Sequence, residues 1–136
     1  MVRRHIPSGL REPGETAFGT WVKLPSMEVV ELLGRAGFDF IVVDMEHNPL
    51  DLETAYRLIF TAQACGMAAL VRVPDRSGSH TQRVLHAGAD RILVPQISSV
   101  EQAATGLRQM TFSPSGLRGM EGTSRAGGWG LDGAPA

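Results

Sequence analysis

Ala36-Gly37-Phe38-Asp39-Phe40-Ile41-Val42-Val43 returns 51 residues further on as Ala87-Gly88-Ala89-Asp90-Arg91-Ile92-Leu93-Val94. Each copy reads as the end of a helix, a glycine that stops it, and a run of apolar residues. A strand that is apolar at consecutive positions, rather than at every second one, fits a parallel sheet covered on both faces. The two copies stand two strand–helix units apart, a repeat that favours a closed barrel over an open doubly wound sheet.

Working outward, Phe18 to Leu24 forms a short strand, and Ser26 caps a helix with Glu28 in its first turn. Val29, Val30, Leu33 and Ala36 recur along that helix at helical spacing, and Gly37 ends it. After the second strand Asp51 caps a helix with the stripe Leu52, Ala55, Leu58, Ile59 and Ala62, closed by Gly66. Ala68 to Val73 is a third strand. Ser77 or Ser79 starts a third helix that turns Val84 and Leu85 inward and ends at Gly88. Arg91 to Val94 is a fourth strand, stopped by Pro95. Ser99 and Gln102 form a capping-box pair for a fourth helix carrying Ala103, Leu107 and Met110. From Phe112 the periodicity stops, and residues 112–136 read as a glycine-rich loop or tail.

The order βαβαβαβα predicts an α/β fold with a parallel sheet and right-handed crossovers. A (β/α)8 barrel needs eight such units and typically about 250 residues. Four units leave two unpaired strand edges and an uncovered inner face. Residues 1–136 therefore read as a single partial domain of a longer barrel, or as a small open α/β domain.

Composition narrows the function classes. The chain is 43% hydrophobic and 20% charged, ordinary values for a soluble globular protein. A net charge of −1 argues against electrostatic capture of nucleic acid or an acidic membrane. A single cysteine, Cys65, rules out an internal disulfide framework and fits the reducing cytoplasm. It lies on the apolar side of its helix and is expected to be a buried, inert thiol. No apolar run is long enough to span a membrane. Met1-Val2-Arg3-Arg4-His5 is basic with no apolar stretch behind it, so no secretory signal is expected. There is no HExxH, paired CxxC or P-loop. Glycines 116, 119, 122, 127 and 128 lack the strand–turn–helix setting of a phosphate loop. They read as a mobile loop over a substrate or as a frayed end.

In parallel α/β folds chemistry gathers at the C-terminal ends of strands. Here those ends carry Asp44-Met45-Glu46-His47-Asn48-Pro49, Arg72-Val73-Pro74 and Pro95-Gln96. Two carboxylates, an imidazole and a guanidinium thus share one rim. His47 suits proton exchange near neutral pH; its structural alternative is a helix cap or a bond to a backbone carbonyl. Two readings of Arg72 stand side by side. It pairs with Asp44 or Glu46 as a structural ion pair, or its planar fork holds the carboxylate of a small oxo-acid. Asp44 is expected to brace the loop backbone.

These residues resemble the HpcH/HpaI aldolase family, which includes 4-hydroxy-2-oxoheptanedioate and 2-dehydro-3-deoxyglucarate aldolases. The resemblance rests on Phe18-Gly19-Thr20-Trp21, Ala36-Gly37-Phe38-Asp39, Asp44-Met45-Glu46-His47-Asn48-Pro49, Val71-Arg72-Val73-Pro74, Leu93-Val94-Pro95, Pro114-Ser115-Gly116-Leu117-Arg118-Gly119, Ser124-Arg125-Ala126 and Trp129-Gly130, in that order. It implies a (β/α)8 TIM barrel of the phosphoenolpyruvate/pyruvate-binding type, here truncated to about four βα units. It implies a lyase: a class II, metal-dependent aldolase that cleaves a 4-hydroxy-2-oxo acid to pyruvate and an aldehyde. It also implies a divalent cation (Mg2+, Mn2+ or Co2+) and a homo-oligomeric, cytoplasmic protein without nucleic-acid or membrane partners. By resemblance His47 is the catalytic base, Arg72 the catalytic and substrate-holding arginine, and Glu46 a carboxylate in the second shell of the metal.

Two departures from the family pattern are visible. The family's metal ligands, a Glu and an Asp at the ends of the fifth and sixth strands, have no counterpart by motif, so no metal ligand is expected within this chain. The third helix of the family carries an Asp in an L-D-x-G context that pairs with the catalytic histidine, and here that stretch reads Leu85-His86-Ala87-Gly88. The alternatives to the aldolase reading are a citrate-lyase-β-like acyl-CoA carbon–carbon lyase and a non-catalytic half-barrel or degenerate fragment.

Overall fold

The computed structural model describes residues 16–131. Strands and helices alternate: β1 (Gly19–Val22), α1 (Met27–Arg35), β2 (Phe40–Asp44), α2 (Leu52–Ala64), β3 (Ala68–Arg72), α3 (Gly78–His86), β4 (Arg91–Leu93) and α4 (Val100–Met110). A single 3-10 turn follows at Gly128–Gly130. The sheet order is β1-β2-β3-β4, and all three pairings are parallel. This is the α/β arrangement expected from the sequence, four βα units of a barrel-type fold. The two outer strands are shorter than the apolar runs suggested, because each pairs on one side only. Lys23 and Leu24 leave the β1 ladder, and Val94 leaves that of β4.

The sequence echo has a structural cause. Asp39 and Asp90 occupy equivalent places just before β2 and β4. The Asp39 Oδ2 accepts the Phe18 N–H at 2.8 Å, and the Asp90 Oδ2 accepts the Ala69 N–H at 2.8 Å. In return the Asp39 N–H donates to the Phe18 carbonyl at 2.8 Å and the Asp90 N–H to the Ala69 carbonyl at 2.9 Å. Each aspartate thus ties its own strand to the preceding one and fixes the register. Gly37 and Gly88 both sit at φ +92°, where a side chain would be strained, and there the chain turns from helix to strand. Asp90→Ala leaves the buried Ala69 N–H without a partner and removes the Gln63 Nε2 contact at 2.9 Å. It should lower stability by about 1–2 kcal/mol in urea unfolding; an unchanged midpoint would contradict this role.

Capping follows the sequence at three helices. Ser26 Oγ accepts from Val29 N, Asp51 Oδ1 from Thr54 N, and Ser99 Oγ from Gln102 N. The capping box at Ser99 is half formed. Gln102 Oε1 reaches past Ser99 and accepts the Ser98 N–H at 2.9 Å. Ser77 rather than Ser79 caps α3, and its side chain makes no capping bond.

Successive strand residues face opposite sides. Ile41, Val43 and Met45 join Ala69, Val71 and Val73 on the side where α1, α2 and α3 deliver Val30, Ala55, Leu58, Ile59, Ala62 and Val84. All of these are buried. Leu58→Ala would open a cavity in this layer at a cost of about 3 kcal/mol, readable as a lowered denaturation midpoint. The other face carries Trp21 beside Val42 beside Leu70, and Arg72 beside Leu93. Trp21 stays 47% exposed there and Leu93 37%.

The expected apolar stripe of α4 is not buried. Ala103 and Leu107 are exposed, Met110 is half-buried, and the one buried residue of α4 is Gly106. α4 packs chiefly on α3, and Ala103 and Leu107 stay exposed among the described residues. Cys65 is half-buried at the end of α2 rather than enclosed in its body. Beyond α4, Leu117 N donates to Arg108 O at 2.7 Å and Arg118 N to Thr111 O at 2.9 Å. The chain then crosses beneath α2 and α3, where Ala126 N donates to His86 O at 3.2 Å and Arg125 bonds Gln63 Oε1. No helix among the described residues is long and apolar enough to cross a membrane.

Candidate functional site

The C-terminal ends of the four strands meet at one corner built around Asp44. This carboxylate is fully buried, and its two oxygens are saturated. Oδ1 accepts the Glu46 N–H at 3.1 Å, the His47 N–H at 3.2 Å and Arg72 Nε at 3.0 Å. Oδ2 accepts Asn48 Nδ2 at 3.1 Å and Arg72 Nη2 at 2.8 Å, with Lys23 Nζ at 3.8 Å. Asp44 is the last residue of β2 and pairs with Arg72, the last of β3, so the parallel register itself presents the fork to the carboxylate. The Arg72 guanidinium and the surrounding N–H groups outweigh the effect of burial and hold the Asp44 pKa down to about 2. The same fork raises the pKa of Arg72 above the ordinary arginine value.

Arg72 is held on three sides. Asp44 takes a bidentate grip, Glu46 Oε2 lies 3.1 Å from Nη1, and the Trp21 ring stacks with its centroid 4.4 Å from the guanidinium carbon. A guanidinium has five N–H donors. Asp44 uses two and Glu46 a third, which leaves two for a ligand at the rim. Glu46 in turn accepts from Gln96 Nε2 at 3.3 Å and lies 3.5 Å from His47 Nε2. Gln96 stands at φ +56°, a left-handed conformation uncommon for glutamine and one that recurs at functional sites.

The structure therefore brings His47, Glu46 and Arg72 to one place, with His47 exposed and Arg72 half-buried. Both of the structural pairings considered for Arg72 are present together. Asp44 braces the loop as the sequence suggested. Trp21, Lys23 and Gln96 were not singled out as site residues. Trp21 lies on the same face as Arg72, two strands over and one residue before the end of β1, and Gln96 follows the end of β4 on the shared rim, but neither contact is marked in the sequence.

His86 does not belong to this corner. The position that pairs with the catalytic histidine in the family pattern lies in the last turn of α3, five residues before β4 begins. It therefore sits at the N-terminal rim of the sheet, while His47 follows the C-terminal end of β2. His86 Nε2 meets the Gly119 carbonyl at 3.3 Å. The expected pairing position and His47 are separated by the direction of the helix.

Among the described residues no group of three or more His, Cys, Asp and Glu side chains could hold a metal ion. The donor set explains this. Both Asp44 oxygens are taken by N–H groups and cations, and Glu46 is shared by Arg72, His47 and Gln96. A cation placed there would face Arg72 and Lys23 at close range, so the residues present do not fit the divalent ion implied by the resemblance.

Comparison with known proteins identifies the family. The sequence profile of the HpcH/HpaI aldolase/citrate lyase family matches residues 17–126. A hydroxypyruvate/pyruvate aldolase of Roseobacter denitrificans is 34% identical over 118 residues, covering 86% of this chain and 46% of that protein. The crystal structure of an HpcH/HpaI aldolase/citrate lyase family protein from Burkholderia cenocepacia superposes with a TM-score of 0.83 at 35% identity, covering 90% of this chain and 50% of that one. The structure of the citrate synthase SbnG gives a TM-score of 0.75 at 30% identity, over 79% of this chain and 44% of its own. The chain spans about half the length of the curated relatives it matches. By the family profile and by the order of its four βα units, it belongs to the HpcH/HpaI aldolase/citrate lyase family.

Proposed function

We propose that this chain supplies the anion-holding and proton-transferring corner of an aldolase-type carbon–carbon lyase acting on a small 2-oxo acid. The observation that carries the reading is Arg72. It is fixed by Asp44, Glu46 and Trp21, with two donors left, beside the exposed imidazole of His47 at the sheet rim where α/β folds bind ligands. In the cleavage direction His47 takes the proton of the 4-hydroxyl of a 4-hydroxy-2-oxo acid. The C3–C4 bond breaks, an aldehyde leaves, and the electron pair moves onto the C2 oxygen as the enolate of pyruvate. Arg72 holds that developing negative charge. Return of a proton to C3 gives pyruvate. Glu46 keeps the imidazole and the guanidinium at their positions. The relatives named as pyruvate aldolases support the substrate class.

A second reading, cleavage or formation of a bond to an acyl thioester, is favoured by the likeness to a citrate synthase. A calorimetric titration of the chain separates the two. Pyruvate and its planar mimic oxalate should bind with a Kd of about 1 mM, the strength of two or three charge-assisted hydrogen bonds less the cost of association. Acetyl-CoA should give no comparable heat. Binding of acetyl-CoA without pyruvate would transfer the reading to the thioester branch, and no binding of either would remove it.

A further inference from the structure

Glu46 is the shared partner at the rim, and Gln96 decides how it is shared. The Glu46 side chain is only 9% exposed. Its Oε2 lies 3.1 Å from Arg72 Nη1 and 3.5 Å from His47 Nε2, and its Oε1 accepts Gln96 Nε2 at 3.3 Å. The last torsion of a glutamate side chain is broad. Left to itself, this carboxylate would turn both oxygens to the guanidinium, which is always charged and offers paired donors, and desert the imidazole. An amide donor on Oε1 fixes the carboxylate plane without adding a charge, so Oε2 stays between Arg72 and His47. Gln96 makes this bond from the turn after β4, where it follows the buried Pro95 and takes φ +56°. That conformation costs a residue with a Cβ about 1 kcal/mol or more. A strained residue at the rim, with its side chain bonded to a site carboxylate, fits a constraint set by function.

We infer that Gln96 is a positioning residue: by holding Glu46 in place it fixes which ring nitrogen of His47 carries the proton. A carboxylate only accepts hydrogen bonds, so the neutral imidazole faces Glu46 with Nε2–H. Nδ1 is then the nitrogen with the free lone pair. It has no hydrogen-bond partner among the described residues. This role rests on the proposed reading of His47 as the base. On that reading Nδ1 is the atom that takes the 4-hydroxyl proton, while Nε2 keeps its own. The imidazolium so formed lies against Glu46, whose charge offsets it until Nδ1 passes the proton on to C3. Without Gln96 the carboxylate turns to Arg72, His47 loses the contact that selects its tautomer, and the nitrogen that acts as base is no longer set.

The test is nitrogen NMR of the His47 ring in the 136-residue chain, recorded at a pH where the imidazole is neutral. The wild type should show Nε2–H over Nδ1–H at about 10:1 or more, the bias of one charge-assisted hydrogen bond. Gln96→Asn and Gln96→Gly both accept a positive φ, so the fold is retained, as circular dichroism and the urea midpoint would show. Asparagine is one methylene shorter and glycine has no side chain, so neither reaches Glu46. In both variants the ratio should fall at least about threefold, toward that of an unpartnered ring. A ratio unchanged in both variants overturns the proposal. So does a wild-type ring protonated at Nδ1, or a ratio that responds to Glu46→Gln but not to Gln96→Asn. No ligand enters this measurement. A failure of pyruvate to bind would therefore remove the proposed substrate class and leave the tautomer result standing, whereas an unchanged ratio with pyruvate bound would remove the role of Gln96 alone.

Discussion

Replacing Asp44 with alanine is expected to destabilise the chain by about 3–5 kcal/mol, a large part of the stability of a domain this size. The carboxylate is fully buried and serves the Glu46 and His47 N–H groups, the Asn48 amide and the Arg72 fork at once. Its loss leaves Arg72 half-buried beside Trp21 with one carboxylate instead of two, and frees the loop that carries His47. The same contact gives the protein an acid limit. The Asp44 pKa is depressed in the folded state from 3.8 to about 2. Its contribution is complete above the unfolded value and is lost as the pH falls from about 4 toward 2. The size of the shift corresponds to roughly 2 kcal/mol. Urea midpoints measured between pH 6 and pH 2 should fall for the wild type through that window. Asp44→Asn should start lower and lose less. Parallel curves for the two proteins would show that Asp44 is not the titrating group.

The second large effect is at Arg72. Arg72→Ala should abolish measurable binding of pyruvate and also cost about 3–5 kcal/mol of stability, because it strands Asp44 as a buried charge with only amide partners and the exposed Lys23 at 3.8 Å. Arg72→Lys separates the two roles. A lysine at this position keeps a positive charge near Asp44 but cannot grip it bidentately, reach Glu46 and lie flat on Trp21 together. The chain should stay folded while pyruvate affinity falls at least about 10-fold, the share of one charge-assisted hydrogen bond. Wild-type affinity in Arg72→Lys would mean that the guanidinium is an internal strut and nothing more.

Much of the fold was legible because its signals are local. Ser26, Asp51 and Ser99 cap the helices they precede, and Gly37, Gly66 and Gly88 take the positive φ that ends them. The continuous apolar runs at Phe40–Val43 and Ala68–Val71 marked strands with both faces buried or facing a neighbour. The echo of Asp39 in Asp90 marked a repeated way of joining one strand to the next. What escaped the sequence depends on what lies beside an element. The stripe of α4 has the right period, yet period reports which side is apolar and not whether anything covers it. Gln102 found Ser98 instead of Ser99 because its amide was long enough to pass the cap. His86 matched a family position in sequence, but helix direction carries it to the opposite rim from His47. At the site, the convergence of Asp44, Glu46, His47 and Arg72 could be read from strand ends. The stacking of Trp21 and the support from Gln96 come from neighbouring strands and are visible only once the sheet is assembled.

The central claim is that Arg72 is the anchor for a small oxo-acid at the rim beside His47. Its Nε–H is observable by nitrogen-edited NMR, and the Arg125 Nε–H at the opposite rim serves as an internal control. Titration with pyruvate should move the Arg72 resonance along a saturable curve, with parallel changes in the His47 imidazole, and leave Arg125 in place. An Arg72 resonance that stays fixed through saturating pyruvate, or one that moves no more than Arg125, would contradict the account.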